Sequence, residues 1–197
     1  MSSHPRRLIV GITGASGAIY GVRLLKLLQG SGIETHLVMS RSAKITLTQE
    51  LDIGVAEVSA LASVVHASDN IGASIASGSF RTIGMVIAPC STRSLAEIAS
   101  GVTSSLVTRA ADVVLKERQR LVLIVREAPL HLGHLRAMAA ATEIGAIVYP
   151  PVPAFYARPA SLEQMVDHTL GRVLDLFDIE NTAVSRWGGL NSIKNDE

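Results

Sequence analysis

The chain has 197 residues, of which 48% are hydrophobic and 18% are charged. This composition is enough for one globular domain with a substantial core, and it excludes a disordered chain. With 18 Lys and Arg against 17 Asp and Glu, the net charge of +1 gives no general attraction to nucleic acid or to an anionic membrane surface.

Charged or small polar residues interrupt every apolar stretch before the ~18 residues that a membrane span needs. The apolar surplus therefore predicts a surface buried between copies of the chain, and so a homo-oligomer. The single cysteine, Cys90, excludes an internal disulfide, and no apolar leader precedes the first apolar run, which together predict a cytoplasmic protein. Three Tyr, three Phe and one Trp are too few for base-stacking platforms.

Short aliphatic runs alternate with longer amphipathic stretches along the chain. The aliphatic runs predict strands at residues 8–12, 35–39, 85–88, 121–125 and 146–149. The amphipathic stretches predict helices at residues 18–29, 43–51, 94–100, 105–118, 131–144 and about 162–176. This alternation is typical of an α/β fold with a parallel sheet covered by helices. We expect one domain over residues 1–197, with a polar tail from about 178 to 197.

Ligands of such sheets bind outside the carboxyl ends of the strands, so the loops after the strands are the candidate sites. The first loop, Gly-Ile-Thr-Gly-Ala-Ser-Gly at residues 11–17, lets the backbone approach a phosphate or a ring, although a simple tight turn has the same appearance. Tyr20 stands where a dinucleotide motif needs its last glycine, and Ser40-Arg41 replaces the expected acidic residue. A mononucleotide therefore fits better than NAD.

Hydroxyl groups follow the second and third predicted strands. We expect Ser42 to cap the next helix and Ser40 to lie at the cleft, whereas Glu50 alone is most simply a solvated charge. Residues 89–94, Pro-Cys-Ser-Thr-Arg-Ser, predict an anion-binding nest, of which a capping box between Ser94 and Glu97 explains only part. Cys90 is more simply a buried thiol than a nucleophile.

Arg126-Glu127 follows the fourth predicted strand, where a cation beside a carboxylate indicates anion binding next to an acid/base group. Arg109 and Lys116 share one face of the preceding helix, where they either bind a phosphate or are simply solvated. The pair His131 and His134 has no third ligand at a suitable spacing, so no metal site is expected.

Taken together, these segments resemble one family, the UbiX-type flavin prenyltransferases, which were once described as aromatic-acid decarboxylase subunits. The matching segments span nearly the whole chain: residues 11–21, 34–40, 77–80, 89–91, 109–117, 126–127, 153–156 and 186–187. The resemblance implies a Rossmann-like, flavoprotein-type three-layer sandwich and a homododecamer built from trimers. It also implies transfer of a dimethylallyl group from dimethylallyl monophosphate to N5 and C6 of reduced FMN, without a metal, to make prenylated FMN for a UbiD-type decarboxylase.

The resemblance also implies residue roles. The implied FMN contacts are Gly14, Ala15, Ser16, Ser40, Ser91, Thr92, Arg93, Ser94, Arg109 and Arg126. The implied contacts to the prenyl donor are Lys116, Tyr156, Arg172 and Trp187, with Trp187 in a tail that closes over the site. The implied catalytic residues are Ser16, Glu50, Lys116 and Glu127.

Two other functions stay open at this point. A direct aromatic-acid or flavin-dependent cysteine-type decarboxylase would release CO2 without a partner, and no histidine is evidently placed as its base. A non-catalytic FMN carrier would bind the flavin without changing its mass. The four cations Arg109, Lys116, Arg126 and Arg172 argue against a carrier, because FMN brings only one phosphate.

Overall fold

The structure is a computed structural model that describes residues 5–184 and residue 186. Six strands form one parallel sheet: β1 (Arg6–Ile12), β2 (Ile33–Met39), β3 (Val64–His66), β4 (Gly84–Cys90), β5 (Arg120–Val125) and β6 (Ile147–Val148). The helices are α1 (Ala18–Leu28), α2 (Arg41–Glu50), α3 (Val55–Ala60), α4 (Thr92–Ala99), α5 (Leu106–Lys116), α6 (Leu132–Glu143) and α7 (Leu162–Asp175). Short 3-10 helices lie at Ser74–Ala76 and Phe155–Ala157.

The sheet has the strand order β3-β2-β1-β4-β5-β6, and every strand pair is parallel. The order reverses between β1 and β4, where Leu8 is paired with Gly84 and Gly11 with Ile87. This reversal is the point at which doubly wound sheets bind ligands. The predicted α/β, Rossmann-like fold is confirmed.

Helices cover the sheet because its central strands are apolar on both faces. Every residue of β4 is buried, and one face of the sheet packs against α4, α5 and α6 through Ile87, Leu95, Ala110 and Ala141. Helix α1 contacts β1, β2 and β4. Burying this much aliphatic surface, at about 25 cal/mol per Å², is the main stabilising contribution to the fold.

The contacts divide the chain into two compact units, Met1–Pro151 and Val152–Glu197. The first contains the whole sheet and α1 to α6, and the second contains α7. Among the described residues, no helix combines the length and the apolar character needed to cross a membrane.

One strand and one α-helix, besides the two 3-10 helices, were not predicted from the sequence. Strand β3 has only three residues and lies at the edge of the sheet, with Val64 and Val65 exposed. Helix α3 has six residues and buries only Val58. Neither is long enough to show a hydrophobic period, so the pattern that identified the other elements gives no signal here.

Candidate active site

Thr13 links the carboxyl ends of the two central strands. Its N–H and its hydroxyl donate to the Pro89 carbonyl at 3.2 and 2.8 Å, and the hydroxyl accepts from the Ser91 N–H at 2.8 Å. The side chain is almost fully buried. These bonds hold the loops after β1 and β4 together at the strand-order reversal. Sequence reasoning missed this role, because a threonine inside a glycine-rich loop carries no distinguishing pattern.

The loop after β1 lies directly against the start of α2. A Cβ on Gly14 would stand 2.5 Å from both Cβ and Oγ of Ser42, so only glycine allows this approach. Gly17 has a φ of 103°, in the left-handed region, and immediately precedes α1. These two glycines therefore set the path of the loop that carries Ala15 and Ser16.

Glu50, the last residue of α2, caps the N-terminus of α1. Its Oε2 accepts the N–H groups of Gly17 and Ala18 at 2.8 and 2.9 Å, and its carboxylate hydrogen-bonds to the Ser16 side chain. Partial burial alone would raise the pKa of Glu50, but these bonds and the Arg126 charge outweigh it and hold the pKa below its ordinary value. The carboxylate is therefore ionised at neutral pH. It is not the free solvated charge that Glu50 alone suggested.

Arg126, directly after β5, acts electrostatically on this cluster. Its charge favours the ionised forms of both Glu50 and Tyr20. Burial nevertheless raises the pKa of Tyr20, with Arg126 as the smaller, opposing influence. The structure thus places the Ser16 hydroxyl, the Glu50 carboxylate and the charge of Arg126 within interaction range of one another. That these residues act in catalysis or FMN binding stays a prediction.

A cavity of about 650 Å³ opens at the same edge of the sheet. It lies between the starts of α2, α4 and α5, and its lining is rich in hydroxyl groups and charges. The lining residues are Ser40, Arg41, Ser42, Lys44, Ile45, Ala67, Ser68, Asp69, Arg93, Ser94, Glu97, Ser104 and Ser105. Its size lies in the usual range of cofactor sites, and its donors suit an anionic ligand.

Two predicted helix caps are wrong. Ser40, and not Ser42, caps α2 by accepting the Ala43 N–H at 3.1 Å. Ser91, and not Ser94, caps α4 by accepting the Ser94 N–H at 3.2 Å. In both cases the helix starts earlier than its hydrophobic pattern, because the first turn faces the cavity and needs no apolar residue.

Glu97 is likewise not part of a capping box. Its carboxylate accepts from Arg93 Nε at 2.8 Å and from the Ser104 hydroxyl at 2.6 Å. The bond from Ser104 links α4 to the segment before α5 at the cavity wall. Thr92, Arg93 and Ser94 lie in the first turn of α4, and Arg93 and Ser94 line the cavity. Their role in anion binding stays a prediction.

Cys90 is buried, and desolvation raises the pKa of its thiol to about 12. This confirms the prediction of a structural thiol, because the nucleophilic thiolate is not populated near neutral pH. His131 caps α6 by accepting the Gly133 N–H, and its ring stacks on His134. Among residues 5–184 and 186, no cluster of three metal-ligating side chains is present.

Lys116 does not join the other predicted site residues. It is the last residue of α5, about 16 Å along the helix from Ser105 at the cavity, and it pairs with Glu117 beside Gly78. Arg109 lies one turn into α5 and pairs with Asp112 at 2.7 Å. The Glu127 side chain is exposed and accepts its neighbour's N–H, from Ala128, at 3.0 Å.

The remaining predicted contacts belong to the second unit or lie outside the described residues. Tyr156 is 53% exposed, and its ring lies edge-on to His168 at a centroid distance of 5.7 Å. Arg172 pairs with Asp175 at 2.8 Å. Trp187 lies outside the described residues, as does the rest of the predicted tail beyond Arg186.

Comparison with known proteins identifies the family to which this chain belongs. The model of the Flavoprotein family matches residues 1–187. The flavin prenyltransferase UbiX of Escherichia coli K12 is 59% identical over 187 residues, which cover 93% of this chain and 99% of that protein. The crystal structure of AnUbiX (PadA1) in complex with FMN and dimethylallyl pyrophosphate superposes with a TM-score of 0.93 at 47% identity, covering 94% of this chain and 99% of that one.

A dodecameric FMN-dependent UbiX-like decarboxylase from Escherichia coli O157:H7 superposes with a TM-score of 0.90 at 48% identity. The match covers 93% of this chain and 100% of that one. Identity at this level over nearly the full length, together with the cluster at the strand-order reversal, establishes the family. The chain belongs to the Flavoprotein family and, within it, to the UbiX flavin prenyltransferases.

Proposed function

We propose that this protein is a flavin prenyltransferase, which transfers a dimethylallyl group from dimethylallyl monophosphate to N5 and C6 of reduced FMN. The identity of 59% to a flavin prenyltransferase over 93% of the chain carries the proposal. The product is prenylated FMN, and we propose that a UbiD-type decarboxylase receives it. No metal takes part, and Arg and Lys side chains neutralise the phosphate charge.

The residues at the carboxyl edge fit FMN. We place the flavin ring against the loop that carries Gly14 and Ala15, which Gly14 holds close to Ser42 at the start of α2. The first turn of α4, with Thr92, Arg93 and Ser94, presents backbone N–H groups, hydroxyls and a cation to a phosphate. The N-terminus of α1 is not available for the phosphate, because Glu50 already occupies it. We therefore assign the FMN phosphate to the hydroxyl-rich cavity between Ser40 and α4.

Reduced FMN supplies the nucleophilic ring atoms, and the side chains manage charge and protons. Breaking the allylic carbon–oxygen bond leaves negative charge on phosphate, which fixed cations stabilise. Glu50 is ionised and already hydrogen-bonded to Ser16, so this pair is suited to accept a proton at the flavin. We assign Glu127, which is exposed next to Arg126, to proton transfer at the leaving phosphate.

Phosphate release gives the first test of this assignment. Wild-type protein with reduced FMN and dimethylallyl monophosphate should release inorganic phosphate, and oxidised FMN should give none. Glu127→Gln should keep FMN binding and lose most of the turnover. Unchanged phosphate release by Glu127→Gln would remove Glu127 from the mechanism, and CO2 release from an aromatic acid or a cysteine substrate would favour a decarboxylase instead.

We further propose that the protein is a homo-oligomer, a dodecamer built from trimers, in which Lys116 acts in the site of a second copy. The separation of Lys116 from Ser16 and Glu50 within one chain supports this, because a single copy does not unite them. Exposed apolar side chains, among them Ile45, Val102, Leu132 and Leu135, support burial against further copies. We place this assembly in the cytoplasm.

Mixed oligomers test the role of Lys116. Lys116→Met and Glu50→Gln should each be nearly inactive alone. After the two variants are dissociated together and reassembled, some sites should combine an intact Lys116 with an intact Glu50, and activity should return. If the mixture stays as inactive as its parts although mixed assembly is demonstrated, Lys116 does not act between copies.

A further inference from the structure

One carboxylate in the second unit binds two arginines. Asp175, at the end of α7, accepts from Arg172 Nη1 at 2.8 Å through Oδ2. It also accepts from Arg186 Nη1 at 3.1 Å through Oδ2 and from Arg186 Nη2 at 2.9 Å through Oδ1. The Asp175–Arg186 contact is a two-bond fork, which fixes the plane of the guanidinium as well as its distance.

Further contacts hold the chain in the path that makes this possible. The Asn181 amide donates to the Gly171 carbonyl at 3.1 Å and to Asp175 at 3.3 Å, and its oxygen accepts the Ala183 N–H at 3.2 Å. A Cβ on Gly171 would stand 2.5 Å from Val184, so residues 181–184 pack directly against α7. The segment that reaches Arg186 is therefore fixed against the helix on which Arg172 and Asp175 lie.

The cluster of Arg172, Arg186 and Asp175 is positively charged and partly exposed. Two guanidinium groups and one carboxylate leave a net charge of +1. At least three of the ten guanidinium N–H donors are directed to Asp175, whereas the side chains of Arg172 and Arg186 stay 50% and 62% exposed. The Asp175 side chain is only 20% exposed and is thus the most buried of the three.

Asp175 stays ionised over the working pH range. Hydrogen bonding from Arg186 is the main cause that lowers the pKa of Asp175, and burial opposes it to a smaller extent. The charges of both arginines and the Asn181 hydrogen bond add to the lowering. Without this carboxylate, two neighbouring guanidinium groups would repel each other and sample many rotamers.

We propose that Arg172 and Arg186 together bind the phosphate of the prenyl donor, and that Asp175 is the positioning residue that holds the two guanidinium groups side by side. The inference rests on the proposed function and on the family resemblance, which implies that Arg172 contacts the prenyl donor, and it adds Arg186 and Asp175. A dianionic phosphate monoester suits two adjacent planar guanidinium groups, because each can donate two parallel hydrogen bonds to its oxygens.

The alternative is a purely structural ion-pair network that ties residues 181–184 and Arg186 to α7. Exposed ion pairs commonly add little to stability, so such a network would be expendable. The two explanations differ in one observable quantity, the affinity for the donor phosphate at unchanged FMN affinity.

Binding to the protein loaded with oxidised FMN measures this affinity without turnover. Titration calorimetry with dimethylallyl monophosphate should show the dissociation constant of Arg186→Gln raised about 10- to 100-fold, the equivalent of losing charge-assisted hydrogen bonds. Asp175→Asn should raise it about 10-fold. Glu180→Gln, which removes an exposed carboxylate of the same unit, is the matched control and should bind as wild type. FMN affinity should not change in any of these variants.

A double-variant comparison separates positioning from structure. If Asp175 acts through the two arginines, Asp175→Asn should cause no further loss of donor affinity in the Arg172→Gln/Arg186→Gln protein. Wild-type affinity in Arg186→Gln would overturn the inference. An equal loss of donor affinity from Asp175→Asn with and without the two arginines would also overturn it. Because Arg186 is exposed, Arg186→Gln should fold, and it remains decisive if Asp175→Asn does not fold. A wild-type protein that binds the donor at this pair but transfers nothing would refute the proposed function alone.

Discussion

Replacing Glu50 with Gln tests the link between the end of α2 and the start of α1. In the wild type, Glu50 accepts the N–H groups of Gly17 and Ala18 at 2.8 and 2.9 Å. Gln keeps an oxygen that can accept these N–H groups, but it removes the negative charge. An acidic group at a helix N-terminus stabilises the helix by about 0.3–1 kcal/mol, and a charge-assisted hydrogen bond is stronger than a neutral one. Glu50 is an exposed residue, so solvent screening keeps both contributions small.

We therefore expect Glu50→Gln to lower the free energy of unfolding by about 1 kcal/mol. For a chain of this size, that corresponds to a fall in Tm of roughly 2–4 °C. The effect on catalysis should be much larger, because Gln cannot accept a proton from Ser16. Thermal unfolding and phosphate release measured on the same preparation give both quantities.

The difference in unfolding free energy between wild type and Glu50→Gln should depend on pH. The pKa of Glu50 is lower in the folded protein than its ordinary value of 4.5, so its ionised form stabilises the fold above that pH. As the pH falls below 4.5 and through the folded pKa, Glu50 becomes protonated and loses this contribution. The difference in unfolding free energy between wild type and Glu50→Gln should thus be full at pH 6–7 and shrink in acid.

Glu57→Gln is the matched control. The Glu57 carboxylate caps α3 by accepting the Gly54 N–H at 2.8 Å, away from Ser16 and Arg126. It should show a similar, small stability loss with normal phosphate release. A Glu50→Gln protein with wild-type turnover, or a stability difference unchanged from pH 7 into acid, would refute the role given to Glu50.

Two further predictions follow from the loops and the core. Gly14→Ala should abolish FMN binding and lower the stability by about 1–3 kcal/mol, because the added Cβ would overlap Ser42. Gly54→Ala is the control, because its Cβ would meet only the end of the flexible Glu57 side chain. It should bind FMN normally in a fluorescence titration. Cys90 should resist alkylation by iodoacetamide in the folded protein at pH 8 and react after unfolding, since its pKa of about 12 leaves almost no thiolate. Intact-protein mass spectrometry follows the reaction. Rapid modification of the native protein would show that the thiol is accessible.

The sequence predicts the fold well where hydrophobic period and turn chemistry agree. The buried strands around Leu8, Val86 and Leu123 are continuous apolar runs, and each is followed by a polar loop at the carboxyl edge. Since parallel strands end at one edge, the meeting of the Ser16, Ser91 and Arg126 loops follows from the strand pattern alone. Strand β3 is too short and too exposed for such a pattern.

The finer geometry of the site depends on packing between distant segments. That Glu50 reaches the N-terminus of α1 depends on the length of α2 and on the close contact at Gly14, and no local pattern around Glu50 records it. That Lys116 lies at the opposite edge of the sheet follows from the direction of α5, which runs antiparallel to the strands. The sequence pattern places Lys116 on the same helical face as Arg109, but a helical face alone does not say which edge of the sheet the residue lies at.

The mass of the flavin after reaction tests prenyl transfer most directly. Purified protein is incubated without oxygen with reduced FMN and dimethylallyl monophosphate, and the extracted flavin is examined by mass spectrometry. We expect a mass gain of one dimethylallyl unit that depends on reduced flavin and on the protein. Unmodified FMN recovered from folded, flavin-loaded protein would contradict it and leave an FMN carrier or a decarboxylase as the better explanation.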